Sequence, residues 1–74
     1  MIKEDFIDIS IPDIENTIDN WIKSQRDREM LKRKLIDGIT FEELAEEFDM
    51  SVRGVKYVVY RNKEILLRHI KREH

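Results

Sequence analysis

A hydroxyl side chain stands immediately ahead of each of four helically patterned stretches: Ser10, Ser24, Thr40 and Ser51. Just outside a helix, such an oxygen accepts a hydrogen bond from an orphaned first-turn amide, so these residues mark helix starts. Three of them are followed three positions later by an acid, Asp13, Asp27 and Glu43, the spacing of a capping box. Only two glycines and one proline interrupt 74 residues, too few turn signals for a sheet. The sequence therefore predicts an all-α fold: a small bundle of four to five helices.

The apolar spacing fills in each helix. Over 11–23, Pro12 sits in the first turn and Ile14, Ile18, Trp21 and Ile22 form the inward face, with Trp21 expected in the core. Asp13, Glu15 and Asp19 take the opposite side. Over 25–37, Met30, Leu31, Leu35 and Ile36 give the stripe, and Gly38 is the terminator. The rest of that helix is basic (Arg26, Arg28, Lys32, Arg33, Lys34), which reads as a solvated face. Phe41, Leu44, Ala45 and Phe48 make one face of a short helix over 41–47. From Val52 onward, Val52, Val55, Val59, Leu66 and Ile70 share a face with Asn62 and His69. That helix either runs on or breaks near Arg61–Asn62. Residues 1–10 alternate Ile7, Ile9 and Ile11 with Asp8 and Ser10, as in an extended arm or a frayed end. One helical domain is expected over 11–74.

A chain this short buries only about 60% of its unfolded surface. It has no cysteine to staple it, so helix packing or a partner must stabilise it. No stretch is patterned as a leader or a membrane span, and a cytoplasmic location is expected. His69 and His74 stand without the clustered donors a metal needs. The serines are used as caps, which leaves no nucleophile. Neither enzyme activity nor a cofactor is expected.

The formal charge of −2 argues against a polyanionic partner only until its distribution is considered. Residues 38–50 carry five acids and no base, whereas residues 51–74 carry seven bases and two acids. The basic block begins where a helix-turn-helix would place its second helix.

That motif needs a small residue where two helices touch, and Ala45 supplies it. It needs a turn residue that tolerates positive φ, here Asp49. Apolar residues must then lock the second helix, and Val55 and Val58 stand ten and thirteen positions past Ala45. The motif spans 41–60. With Val55 inward and about 100° per residue, Arg53, Tyr57, Tyr60 and Arg61 fall on the far side, flanked by Gly54 and Lys56. These six are the candidate DNA-binding residues, facing outward as a major groove would require. Thr40, Ser51, Arg33 and Lys34 are candidate phosphate contacts.

The stretch from Arg26 to Arg61, RDREMLKRKLIDGITFEELAEEFDMSVRGVKYVVYR, resembles the region-four DNA-binding domain of bacterial sigma factors. It also looks like the small sigma-like helix-turn-helix proteins of phages and mobile elements. The matching positions are Arg26, Arg28, Met30 and Leu31, then Thr40, Glu42, Glu43, Leu44, Ala45, Phe48, Asp49, Met50 and Ser51. The recognition helix departs from the family pattern, with Val52-Arg53-Gly54 where sigma factors carry Arg-Glu-Arg. The resemblance implies a transcriptional regulator, an adaptor to RNA polymerase, or a phage DNA-handling protein.

Two functions follow as expectations. The first is sequence-specific binding of double-stranded DNA. The second is a protein-interaction module, with RNA polymerase or a phage or host protein as partner, that keeps the helix-turn-helix shape without using DNA. A continuous C-terminal helix, with Asn62 and His69 in its seam, would also allow a homodimer.

Overall fold

The computed structural model describes Phe6 and residues 9–70. Four helices make up the fold: α1 (Ile11–Trp21), α2 (Gln25–Leu35), α3 (Phe41–Glu47) and α4 (Val52–His69). No strand occurs among the described residues. All four hydroxyls cap as their positions predict, accepting from the amides of Asp13, Asp27, Glu43 and Gly54. Only Thr40 and Glu43 close a full capping box. Reaching back to the cap amide suits Glu or Gln, and Asp13 and Asp27 are one methylene shorter.

α1 and α2 each stop two residues before the expected ends at 23 and 37. After Trp21 the chain turns extended at Ile22. The freed carbonyls of Ile22 and Lys23 each accept a hydrogen bond from the Arg28 guanidinium, both at 2.8 Å. α2 unwinds through Ile36 and Asp37, and Gly38 follows at a φ of 73°.

α4 is the spine. It runs unbroken for 18 residues through Asn62, and α1, α2 and α3 all pack on it. Ile18, Met30, Leu31, Leu44, Val55, Val59 and Leu66 are fully buried at the centre. Burying each such side chain contributes about 1.5–3 kcal/mol, the main favourable term available to so short a chain.

One buried polar contact ties the bundle together. The Asp27 carboxylate and the Asn62 amide are 3% and 4% exposed. Asn62 Nδ2 donates to Asp27 Oδ2 at 3.2 Å and to the Val58 carbonyl at 2.9 Å. Arg26 adds a pair to Asp27 Oδ1 at 3.1 Å. The side chain that could have set register between two copies is thus engaged within one chain.

Trp21 requires a correction. The sequence puts it in the core, yet it is 48% exposed. It is the last residue of α1 and faces His69, the last residue of α4. The two rings stack at 3.6 Å with an interplanar angle of 3°. The stack covers one face of the indole and leaves the ring half open. Conversely, Phe6, within the expected arm, is buried in the core and Ile9 packs against it. The remaining arm residues, 1–5, 7 and 8, and His74 lie outside the described residues.

Asp49 has a φ of 53°. The left-handed region costs an ordinary L-residue about 1–2 kcal/mol, and aspartate tolerates it better than most. Asp49→Val should therefore lose about 1–2 kcal/mol while Asp49→Gly holds its stability, as thermal unfolding followed by circular dichroism would report. Equal losses in both variants would show that the turn does not depend on this φ.

Candidate nucleic-acid interface

The elbow forms where the spacing predicts. α3 ends at Glu47, four residues turn, and α4 begins at Val52. The Met50 amide donates to the Ala45 carbonyl at 2.9 Å across the turn. Ala45, Val55 and Val58 are buried together in the core. With Val55 and Val58 held inward, the opposite arc of α4 has to face out.

Arg53, Lys56, Tyr57, Tyr60 and Arg61 are all exposed. Tyr57 and Tyr60 are 65% and 44% exposed, a degree for large rings that the core does not explain. Arg53, in the first turn of α4, has no ion-pair partner among the described residues. The Arg61 guanidinium lies 5.4 Å from the Tyr57 ring centroid and 3.5 Å from Asp27 Oδ2. It is therefore partly held from behind. Gly54 is half-buried, and a Cβ there would meet Ser51 Oγ at 3.1 Å. Its missing side chain leaves room for the helix cap.

The four candidate phosphate contacts separate. The Thr40 and Ser51 hydroxyls are engaged as caps. Arg33 donates to Glu47 at 2.8 Å and to Asp37 at 2.9 Å. Those hydrogen bonds push the Arg33 guanidinium further up, and the Glu47 carboxyl is held below its ordinary range, chiefly by the Arg33 bond. Arg33 is a strap between α2 and α3. Lys34 alone of the four remains turned to the α3–α4 side, its Nζ 4.2 Å from the Phe41 ring centroid.

The same sorting applies along α2. Arg28 caps α1, Lys32 pairs with Asp19 at 2.8 Å, and Arg26 pairs with Asp27. Most of this basic block is neutralised within the fold. On α4, Arg53 and Lys56 have no ion-pair partner among the described residues, and Arg61 is partly held.

Several features escaped the sequence reading. Asp27 looked like a cap partner, and its contact with Asn62 spans 35 positions. Phe41 packs against the core as its spacing predicts, but it stays half-buried, and its ring also receives Lys34 and, at 5.5 Å, Lys56. Glu64 is exposed, and the 100° arithmetic puts it about 20° from Arg53 around the helix, so the outward arc includes one acid.

Among the described residues, no cluster of three His, Cys, Asp or Glu could hold a metal ion, and no helix is long and apolar enough to cross a membrane. No protein-family model, curated protein or solved structure matches the chain.

Proposed function

We propose that this protein is a sequence-specific, double-stranded-DNA-binding regulator of helix-turn-helix type, with no catalytic role. One observation carries the reading. A helix locked by Val55 and Val58 beneath Ala45 presents Arg53, Lys56, Tyr57, Tyr60 and Arg61 outward along one arc. A helix in a major groove needs such an arc. Arginine can bond guanine through two donors, and the tyrosines offer hydroxyls to phosphates and ring edges to thymine methyls. Phosphate contacts supply most of the affinity and base contacts the discrimination.

A second reading, a protein-interaction module with RNA polymerase or a phage or host protein as partner, is favoured by exposed carboxylates on the two helices of the motif. Glu42 and Glu46 on α3 and Glu64 on α4 are exposed and would oppose a phosphate backbone.

Mobility shift on random duplex tests between the two. The first reading expects binding at micromolar protein in 50 mM salt that weakens steeply by 200 mM, since each neutralised phosphate adds about 0.9 to the salt slope. Glu64→Gln should then tighten binding to every sequence alike. No shift at low salt would favour the protein-interaction reading.

A further inference from the structure

A cavity of about 330 Å³ opens between the α1–α2 connection and α4. Ile22 and Ile65 give it apolar walls, and Trp21 lines it beside them. Trp21 is 48% exposed, and its stack on His69 holds the ring in place. Lys23 and Arg61 bring two cations to the lining. Asp27 is the one carboxylate that lines the cavity among the described residues, and it is buried and already engaged. Arg26 takes its Oδ1, and Asn62 and Arg61 take its Oδ2.

Sites for small molecules are concave and mostly apolar, with a few convergent polar groups and volumes upward of about 300 Å³. This cavity meets that description at its small end, and its charge selects among ligands. Lys23 has no ion-pair partner among the described residues. Arg61 leans on Asp27 at 3.5 Å, well beyond a strong charge-assisted hydrogen bond. If Arg61 turns away, Asp27 retains Arg26 and Asn62. Both cations can therefore meet an incoming acid without stranding a buried charge. The indole beside them favours a flat ring, which stacks on it or packs against its edge. A second cavity, of about 280 Å³, also reaches Trp21 and His69 but is lined by Asp13, Asn16 and Asn20. Its carboxylate would repel the anion that the first cavity attracts.

We propose that the first cavity binds a small planar aromatic anion. The ring packs on Trp21 beside Ile22 and Ile65, and the acid group is held by Arg61 and Lys23. Arg61 also belongs to the outward arc of α4, so an occupant that engages it withdraws one cation from the DNA face. That regulatory consequence rests on the DNA-binding reading above, whereas occupancy of the cavity does not. Aromatic carboxylates and mononucleotides share the chemistry the cavity selects.

The test titrates the isotope-labelled full chain, at constant ionic strength, with phenylacetate and separately with adenosine monophosphate. The single tryptophan gives one indole N–H signal in the NMR spectrum. That signal and the Ser24 and Ile65 amides should shift saturably with at least one of the two anions, and the comparison assigns the source. Acetate, which lacks the ring, and phenethyl alcohol, which lacks the acid, should bind far more weakly. Lys23→Gln and Arg61→Gln should each weaken the anion by about two- to fivefold, while Lys32→Gln, outside the cavity, keeps wild-type binding. Circular dichroism checks that each variant is folded. No saturable shift with either anion would overturn the site, as would shifts confined to Asn16 and Asn20 or equal binding of phenethyl alcohol. Fluorescence anisotropy with a random-sequence duplex reads the consequence. Saturating ligand should weaken wild-type binding to the level of Arg61→Gln and leave that variant unchanged. Undiminished DNA binding by the occupied wild type would overturn the regulatory consequence alone. A protein that takes the ligand but binds no duplex would overturn the DNA-binding reading and leave the site standing.

Discussion

Arg53→Ala should erase sequence preference at one or two base positions while leaving the fold intact. A two-donor arginine–guanine contact is worth about 1–3 kcal/mol of discrimination, a factor of about 5 to 160. Arg53 is the residue on α4 best placed to deliver it. It lies in the first turn, the part of a recognition helix that reaches base edges in this motif. It is exposed and has no ion-pair partner among the described residues, so no internal contact has to break before it engages a base. Arg61 is the contrast. Its contact with Asp27 at 3.5 Å and its place two turns further on suit backbone binding, and Arg61→Ala should weaken all sequences alike. Selection from a random duplex pool with wild type and both variants measures this. Arg53→Ala enriching the wild-type site as strongly as wild type would remove Arg53 from base reading.

Asn62→Ala should be among the most destabilising changes in the chain. It deletes the donor to Asp27 Oδ2 and to the Val58 carbonyl. It also leaves a carboxylate that is 3% exposed with only its arginine neighbours. Stranding a buried polar or charged group costs about 2–4 kcal/mol. Total stability for a chain of this length is about 4–11 kcal/mol, so the loss would be a large fraction of it. The double variant Asp27→Ala/Asn62→Ala removes both groups and with them the uncompensated charge. Its loss should fall short of the sum of the single losses by about 0.5–3 kcal/mol. Urea unfolding followed by circular dichroism measures all three. Strict additivity would show that the two side chains act independently.

The sequence disclosed whatever is periodic or local. Four hydroxyls gave the helix starts, because capping is a matter of three residues. The start and end of α3 were legible for that reason. Ala45, Val55 and Val58 disclosed the elbow through spacing alone, and rotation by helical steps sorted the outward arc of α4. Contacts between distant residues were not legible. Nothing near Asp27 marks it as the partner of Asn62, and Asn62 itself left two readings open, a seam residue or a helix break. Trp21 fits the inward stripe by rotation, and only the position of the α4 end shows that its ring stacks on His69 and stays half exposed. The basic run of α2 looked like one solvated surface, although Arg28 and Lys32 both meet the end of α1 and Arg33 meets α3. Lys34 is what remains of that run near the candidate site. Glu64 could have been found by the rotation that found Tyr57.

α4 is both the wall on which every other helix rests and the carrier of the outward arc. Local opening requires a segment that can detach while the remainder stays sealed. Here α1, α2 and α3 each lose their largest partner if α4 frays beyond its last turn. Amide hydrogens around Val55, Val59 and Leu66 should thus exchange only when the whole chain opens, as one cooperative unit. A surface attached to that unit is rigid on the timescale of an encounter. Whatever α4 contacts must accommodate the shape of this helix, and any bending falls to the partner.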